Sequence, residues 1–281
     1  MAKLIDGKAI ASTVMAEVAE GSRRLVAEYG EEARPNMTLV LVGNDPVSKR
    51  LVDLKAKDCE KTGITPTVIA LSENISEEKL LRQIERLNAD EDVKAILCQL
   101  PVPEHISTKK LLAAIAPEKD VDGFSARIDS DDYDIAACTP AAVMRMLKES
   151  GVDVAGKHCV VVGRDNMVGK PMAIQLLLND ATVTVCHSKT AELAEHTRRA
   201  DVLIVAVQKP RFVTGDMIKE GAVVIDVGMN YIDGHPVGDV DFESAEPKAS
   251  MITPVPGGVG PMTRAGLLVN ALKLAERRII K

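Results

Sequence analysis

The sequence predicts an α/β protein of two domains built from repeated strand–helix units. Three observations carry this. Short apolar runs alternate with helical segments nearly from end to end. The second half repeats strand–helix–strand units, which imply parallel strands covered by helices on both faces. The length, 281 residues, amounts to two domains at about 150 residues each.

The elements follow in order. A helix is expected over 7–29. TLVLVG (38–43) ends in glycine and reads as a buried strand. A helix at 47–62 leads to the strand TPTVIAL (65–71). SEEKLLRQIERLN (76–88) opens on Ser76 and has amphipathic helical spacing. VKAILCQLPVP (93–103) is a strand running into a proline-rich loop, and a short helix at 108–115 precedes the loop PEKDVDGF (117–124). The domain border falls in the helix TPAAVMRMLKES (139–150). The second series is strand 157–163, helix 169–179, strand 181–187, helix 192–200, strand 201–207 and strand 221–228. A last helix, 263–281, returns to the first domain. The expected division is therefore 1–138 with 263–281, and 139–262.

Composition removes several functional classes. Lysine plus arginine number 35 and aspartate plus glutamate 41, a net charge of −6. That balance argues against nucleic-acid and membrane-surface partners. Aromatic residues are 2%, with no Trp, too few for base-stacking platforms. Cys59, Cys98, Cys138, Cys159 and Cys186 are scattered, with no CxxC pair. They read as free buried thiols in a reducing compartment, and no metal is expected. No segment approaches about 18 apolar residues, so neither a membrane span nor a signal peptide is expected, and the expected location is cytoplasmic.

VVVGRDNMVGKPMA (160–173) is the first chemical signal. A strand ends at Gly163, a loop follows, and a helix starts near Gly169 with Pro171 in its first turn. Two glycines and a helix N-terminus suit a phosphate, as in a Rossmann-like dinucleotide-binding domain. A glycine-containing turn without a ligand has the same pattern. The next strand ends in His187, Ser188, Lys189 and Thr190, without the carboxylate that an NAD site places on the ribose 2′-OH. Arg164 and these hydroxyls favour a 2′-phosphate, hence NADP over NAD. Asp165 pulls the other way, as an anion beside Arg164.

VVVGR with VGKP, ATVTVCHSKT, GAVVIDVGMN, VGDVDF and TPVPGGVGPMT together resemble the bifunctional FolD family. These are methylenetetrahydrofolate dehydrogenase/methenyltetrahydrofolate cyclohydrolases. LVGNDPVSKRLVDLKAKDCEKTGI, CQLPVPEHI and PEKDVDGF extend the resemblance through the N-terminal half. It implies an N-terminal catalytic domain, a Rossmann-like NADP domain, and folate in a cleft between them. It also implies a homodimer that oxidises 5,10-methylenetetrahydrofolate to 5,10-methenyltetrahydrofolate with NADP, then hydrolyses it to 10-formyltetrahydrofolate. These steps belong to one-carbon metabolism and supply purine biosynthesis.

The family's catalytic lysine falls on Lys55, its glutamine on Gln99 and its pterin-anchoring aspartate on Asp122. Ser48, Leu51, Leu100, Pro101, Pro256, Gly257 and Gly258 fall at substrate positions. Gly163, Arg164, Asp165, Val168, Gly169, His187, Ser188 and Met229 fall at cofactor positions. The chemistry is reasonable: a partly buried lysine with a lowered pKa can move protons near the folate's N5 and N10. Gln99 can hold that amine, and Asp122 can accept hydrogen bonds from the pterin.

Three departures stand out. The family's tyrosine four residues before the lysine is Leu51, which makes hydrolysis the weaker half-reaction. The family's HPxNxGxL is replaced by SARIDSDDYDIAA (125–137), without its His and Asn. AVGKP reads AVQKP, with Gln208 at the glycine. The alternatives are a monofunctional dehydrogenase, an enzyme acting on another reduced pterin, and a catalytically silent nucleotide-binding or regulatory paralog. Intact Lys55 argues against the silent one.

Overall fold

The structure, a computed structural model, describes residues 1–125 and 135–280. It separates into two compact units, Thr13–Cys138 with Arg264–Lys281, and Met1–Ser12 with Thr139–Thr263.

The first unit carries a three-stranded parallel sheet. β2 (Asn36–Val42) is central, flanked by β3 (Thr65–Leu71) and β4 (Ile96–Cys98). The period-two alternation of β2 feeds two cores. Met37, Leu39 and Leu41 pack with Val52, Leu97 and Leu267, while Val40 and Val42 pack with Leu80, Ile84 and Leu111. Strand β4 supplies Leu97, and helices α1 (Gly7–Tyr29), α2 (Pro46–Lys61), α3 (Glu77–Ala89), α4 (Thr108–Ala114) and the later α9 (Val259–Ile280) supply other residues of these cores. α1 and α9 contribute residues to both units. α2 starts where it does because Asp45 accepts the Ser48 amide at 2.7 Å and Pro46 occupies the first turn.

The second unit takes α5 (Cys138–Glu149) from Thr139 onward and is built on a six-stranded, all-parallel sheet. Its strands are β1 (Lys3–Leu4), β5 (His158–Val162), β6 (Thr182–Cys186), β7 (Val202–Val205), β8 (Val223–Asp226) and β11 (Met251–Ile252). The order is β1-β11-β8-β7-β5-β6. Between β5 and β6 run α6 (Gly169–Leu177) and its loop; α7 (Leu193–Thr197) and α8 (Phe242–Ala245) complete the helices. A hairpin, β9 (Asn230–Ile232) with β10 (His235–Val237), stands apart. The chain goes from β5 outward to β6, then crosses back to β7 on the other side of β5. The carboxyl ends of β5 and β7 are thus a topological switch point, where α/β sheets open a ligand crevice.

Some expectations shift. β4 ends at Cys98, because the chain then enters Leu100–Pro101, and proline has no N–H for a ladder. The first residues were expected with the first domain. Instead Lys3 and Leu4 pair with Met251 and Ile252 in the second unit's sheet.

Candidate active site

In the first unit, three separate elements bring Lys55, Gln99 and Asp122 into one neighbourhood. Lys55 lies on α2, Gln99 directly after β4, and Asp122 in the loop that follows a 3-10 turn at Pro117–Lys119. Lys55 Nζ donates to Gln99 Oε1 at 2.9 Å. Gln99 is buried, and its Nε2 donates to the Leu100 carbonyl at 2.5 Å, which fixes the oxygen toward the lysine. Pro101 follows across a cis bond.

Electrostatics link the pair to Asp122. Burial holds the Lys55 ammonium below the ordinary lysine range, and Asp122 pulls it part of the way back. Burial pushes the Asp122 carboxyl up to about 7; Lys55 opposes that shift and Asp120 adds to it. The Asp122 loop is pinned on both sides. Asp120 accepts the Gly123 and Ser125 amides at 3.2 and 2.7 Å. Asn270 donates to the carbonyls of Val121 and Ala136, each at 2.9 Å. Residues 126–134, most of the divergent acidic segment, lie outside the described residues.

Val47, Leu51 and Lys55 follow one another at four-residue intervals along one ridge of α2. Leu51 is 37% exposed, a bare apolar surface one turn from the amine. Ser48, in the first turn, is buried.

The second unit holds two cavities relevant to the remaining expected residues. One, of about 270 Å³, lies at the β5–β7 switch point and is lined by Gly163, Arg164, Asp165, His187 and Ser188. Leu193, Val207, Lys209 and Phe212 also line it. The other, of about 190 Å³, brings Val168 and Met229 together with Pro256, Gly257 and Gly258. Gln208 lines this second cavity, in the left-handed conformation (φ 55°) that glycine adopts freely.

The glycine loop works differently from the sequence expectation. The helix N-terminus is already filled by the chain's own anion. Asp165 accepts the amides of Met167 and Val168 at 2.8 and 2.9 Å on one oxygen, and that of Gly169 at 3.2 Å on the other. These amides are therefore not available to a phosphate. The glycines serve close packing within the chain. A Cβ on Gly163 would lie 2.2 Å from the Ala206 carbonyl oxygen, and one on Gly169 would lie 2.4 Å from that of Gly163. Gly163→Ala, at φ 129°, is expected to cost about 2–4 kcal/mol. It should lower the melting temperature by roughly 5–10 °C in a circular-dichroism melt. The donor set itself fits a phosphate: Arg164, Lys209, Ser188 and His187 face one space.

Sequence reasoning missed Phe212, which carries no motif, and Lys209, which lies in the AVQKP segment but was given no role there. It also missed Asp226 and Asp239, which organise the loops around both cavities. Asp226 accepts the amides of Gly228, Asp239 and Val240, and burial pushes its carboxyl up to about 6. All five cysteines are free and buried.

Comparison with known proteins matches both halves of the chain to one family. Residues 5–122 match the family model of the tetrahydrofolate dehydrogenase/cyclohydrolase catalytic domain. Residues 137–279 match that of the NAD(P)-binding domain of the same family. The bifunctional protein FolD of Moorella thermoacetica is 52% identical over 281 residues, covering 98% of this chain and 99% of the relative. The crystal structure of the bifunctional FolD enzyme from Campylobacter jejuni superposes with a TM-score of 0.94 at 44% identity, covering 99% of this chain and all of that one. The Trypanosoma brucei enzyme, solved with NADP cofactor and an inhibitor, gives a TM-score of 0.92 at 38% identity, covering 100% of this chain and 99% of that one. The chain belongs to the tetrahydrofolate dehydrogenase/cyclohydrolase family.

Proposed function

We propose that this protein oxidises 5,10-methylenetetrahydrofolate to 5,10-methenyltetrahydrofolate with NADP and hydrolyses the product to 10-formyltetrahydrofolate. The observation that carries this reading is the Lys55–Gln99 hydrogen bond beside Asp122, with the lysine held below its ordinary range by burial. The family membership and the cation-lined cavity at the switch point support the cofactor.

NADP, when bound, supplies the hydride acceptor. Arg164, Ser188 and His187 would hold its phosphate-bearing half, and the segment Pro256–Gly258 with Met229 would border its other half. The chain's own groups serve the hydrolysis. Water adds to the methenyl carbon between N5 and N10 and gives up a proton to the neutral Lys55 amine. The resulting ammonium returns a proton to N5 as the C–N5 bond breaks, leaving the formyl group on N10. One water is consumed and one proton is released overall. Burial lowers the lysine pKa, which shifts the balance toward the neutral amine that this step uses. Gln99 aims the amine, and Asp122 anchors the pterin by accepting its N–H groups. The protein acts as a cytoplasmic homodimer in the supply of one-carbon units for purine biosynthesis. A paired assay of both half-reactions with NADP and with NAD tests the reading; absence of both half-reactions would reject it.

Leu51 favours a second reading, a dehydrogenase with weak cyclohydrolase activity. Hydride transfer needs two rings in register and no proton relay, so leucine's apolar surface suffices for it. The proton relay loses a hydroxyl neighbour that tyrosine would provide. Leu51→Tyr is expected to raise the rate of methenyltetrahydrofolate hydrolysis about tenfold, with a smaller change in NADP reduction. An unchanged hydrolysis rate would remove Leu51 from the explanation.

A further inference from the structure

The loop that leaves the carboxyl end of β7 has features to which the proposed function gives no separate role. One carboxylate gathers its backbone: Asp239 accepts the amides of Val207, Gln208 and Lys209 at 2.6, 3.0 and 2.8 Å. Two residues within it, Gln208 and Arg211, are left-handed at φ 55° and 53°. That conformation is unfavourable for a residue with a Cβ, persists only where the surroundings impose it, and clusters at ligand sites. The loop therefore presents its side chains from a fixed frame. What it presents is Lys209, whose Nζ stands 5.2 Å from the centroid of the Phe212 ring. Phe212 is 38% exposed, in a chain with three phenylalanines. Both residues line the switch-point cavity, facing the space shared by Arg164, His187 and Ser188. Asp165, the carboxylate on that lining, has both oxygens engaged by the amides of its own turn.

We propose that Lys209 and Phe212 form the second wall of the adenosine half-site. The Lys209 ammonium binds the 2′-phosphate opposite Arg164, and the Phe212 ring packs against the adenine. This rests on the NADP reading above. A phosphate monoester carries close to two negative charges near neutral pH, so one arginine leaves it undercompensated. A point-charge lysine beside a bidentate arginine completes the site. The pair sets the preference for a 2′-phosphorylated dinucleotide without a carboxylate that would reject it.

Calorimetric titration of the full chain with NADP, NAD, adenosine 2′,5′-bisphosphate and adenosine 5′-phosphate tests this. Lys209→Gln should weaken the two 2′-phosphorylated ligands about tenfold and the other two by less than about twofold. The same variant should flatten the salt dependence of NADP affinity. Lys209→Arg should retain the preference. Phe212→Leu should weaken all four ligands alike, by about fivefold. If the parent prefers NADP and Lys209→Gln keeps the full ratio, or loses NADP and NAD equally, the role of Lys209 is wrong and the cofactor reading stands. A parent that binds NAD as tightly as NADP overturns both.

Discussion

Lys55→Met is expected to reduce methenyltetrahydrofolate hydrolysis by about 10²–10⁴-fold, the usual contribution of a positioned acid–base group. Dehydrogenase activity should survive to within about tenfold, because hydride transfer moves no proton through this residue. Methionine keeps the length and apolar stem of lysine and removes only the amine, so α2 retains its packing. The buried ammonium is already disfavoured by desolvation, so its loss should not unfold the unit. The Asp122 carboxyl, which Lys55 holds down, should then titrate above its present value of about 7. The decay of methenyltetrahydrofolate absorbance measures the first effect, and NADP reduction the second. Hydrolysis at the parent's rate would take the amine out of the reaction. Equal loss of both half-reactions would assign Lys55 to binding.

How far the sequence speaks for this arrangement depends on the element. Helices and central strands were legible because burial leaves a pattern: β2 and β5 each hold an unbroken apolar run, 39–42 and 159–162, and α3 repeats its apolar residues at helical spacing. β1 and β11, at two residues each, are too short to carry a period and exist only through their sheet partners. The hairpin did leave a trace, since Asp233 and Gly234 are both left-handed at its turn, and Asp-Gly is a strong hairpin signal. Lys55 alone reads as an ordinary solvated helix lysine, and only the resemblance singled it out. The physical distinction lies in Gln99, 44 residues away, whose oxygen meets the amine. Asp165 was visible, but which donors it would engage was not, because a turn carboxylate and a bound phosphate compete for the same amides. Lys209 and Phe212 were illegible because the frame that presents them is Asp239, 30 residues from Lys209.

Asp122→Asn should separate a functional cost from a structural gain. The folded carboxyl titrates near 7, well above its ordinary 3.8. Between those values the native state binds more protons than the unfolded chain, so the parent's stability falls as pH rises from about 4 to about 7. Above that window the parent carries the whole cost of a buried charge. Asparagine has the same shape and no charge to bury. The variant should therefore melt higher than the parent at pH 8, by roughly 5 °C, and the advantage should vanish near pH 4. Activity should move the opposite way. A carboxylate offers only acceptors to the N–H groups of a pterin, whereas an amide turns a donor toward one of them and leaves it unpaired. That mismatch should lower kcat/KM for methylenetetrahydrofolate by about 10²-fold. The parent's activity should climb with pH through about 7 as the carboxylate forms, and the variant's profile should lack that limb. If the limb persists in the variant, another group titrates there. If the variant gains stability at pH 8 while losing substrate affinity, the chain retains a destabilising carboxylate at this position because only the anion can hold the ring.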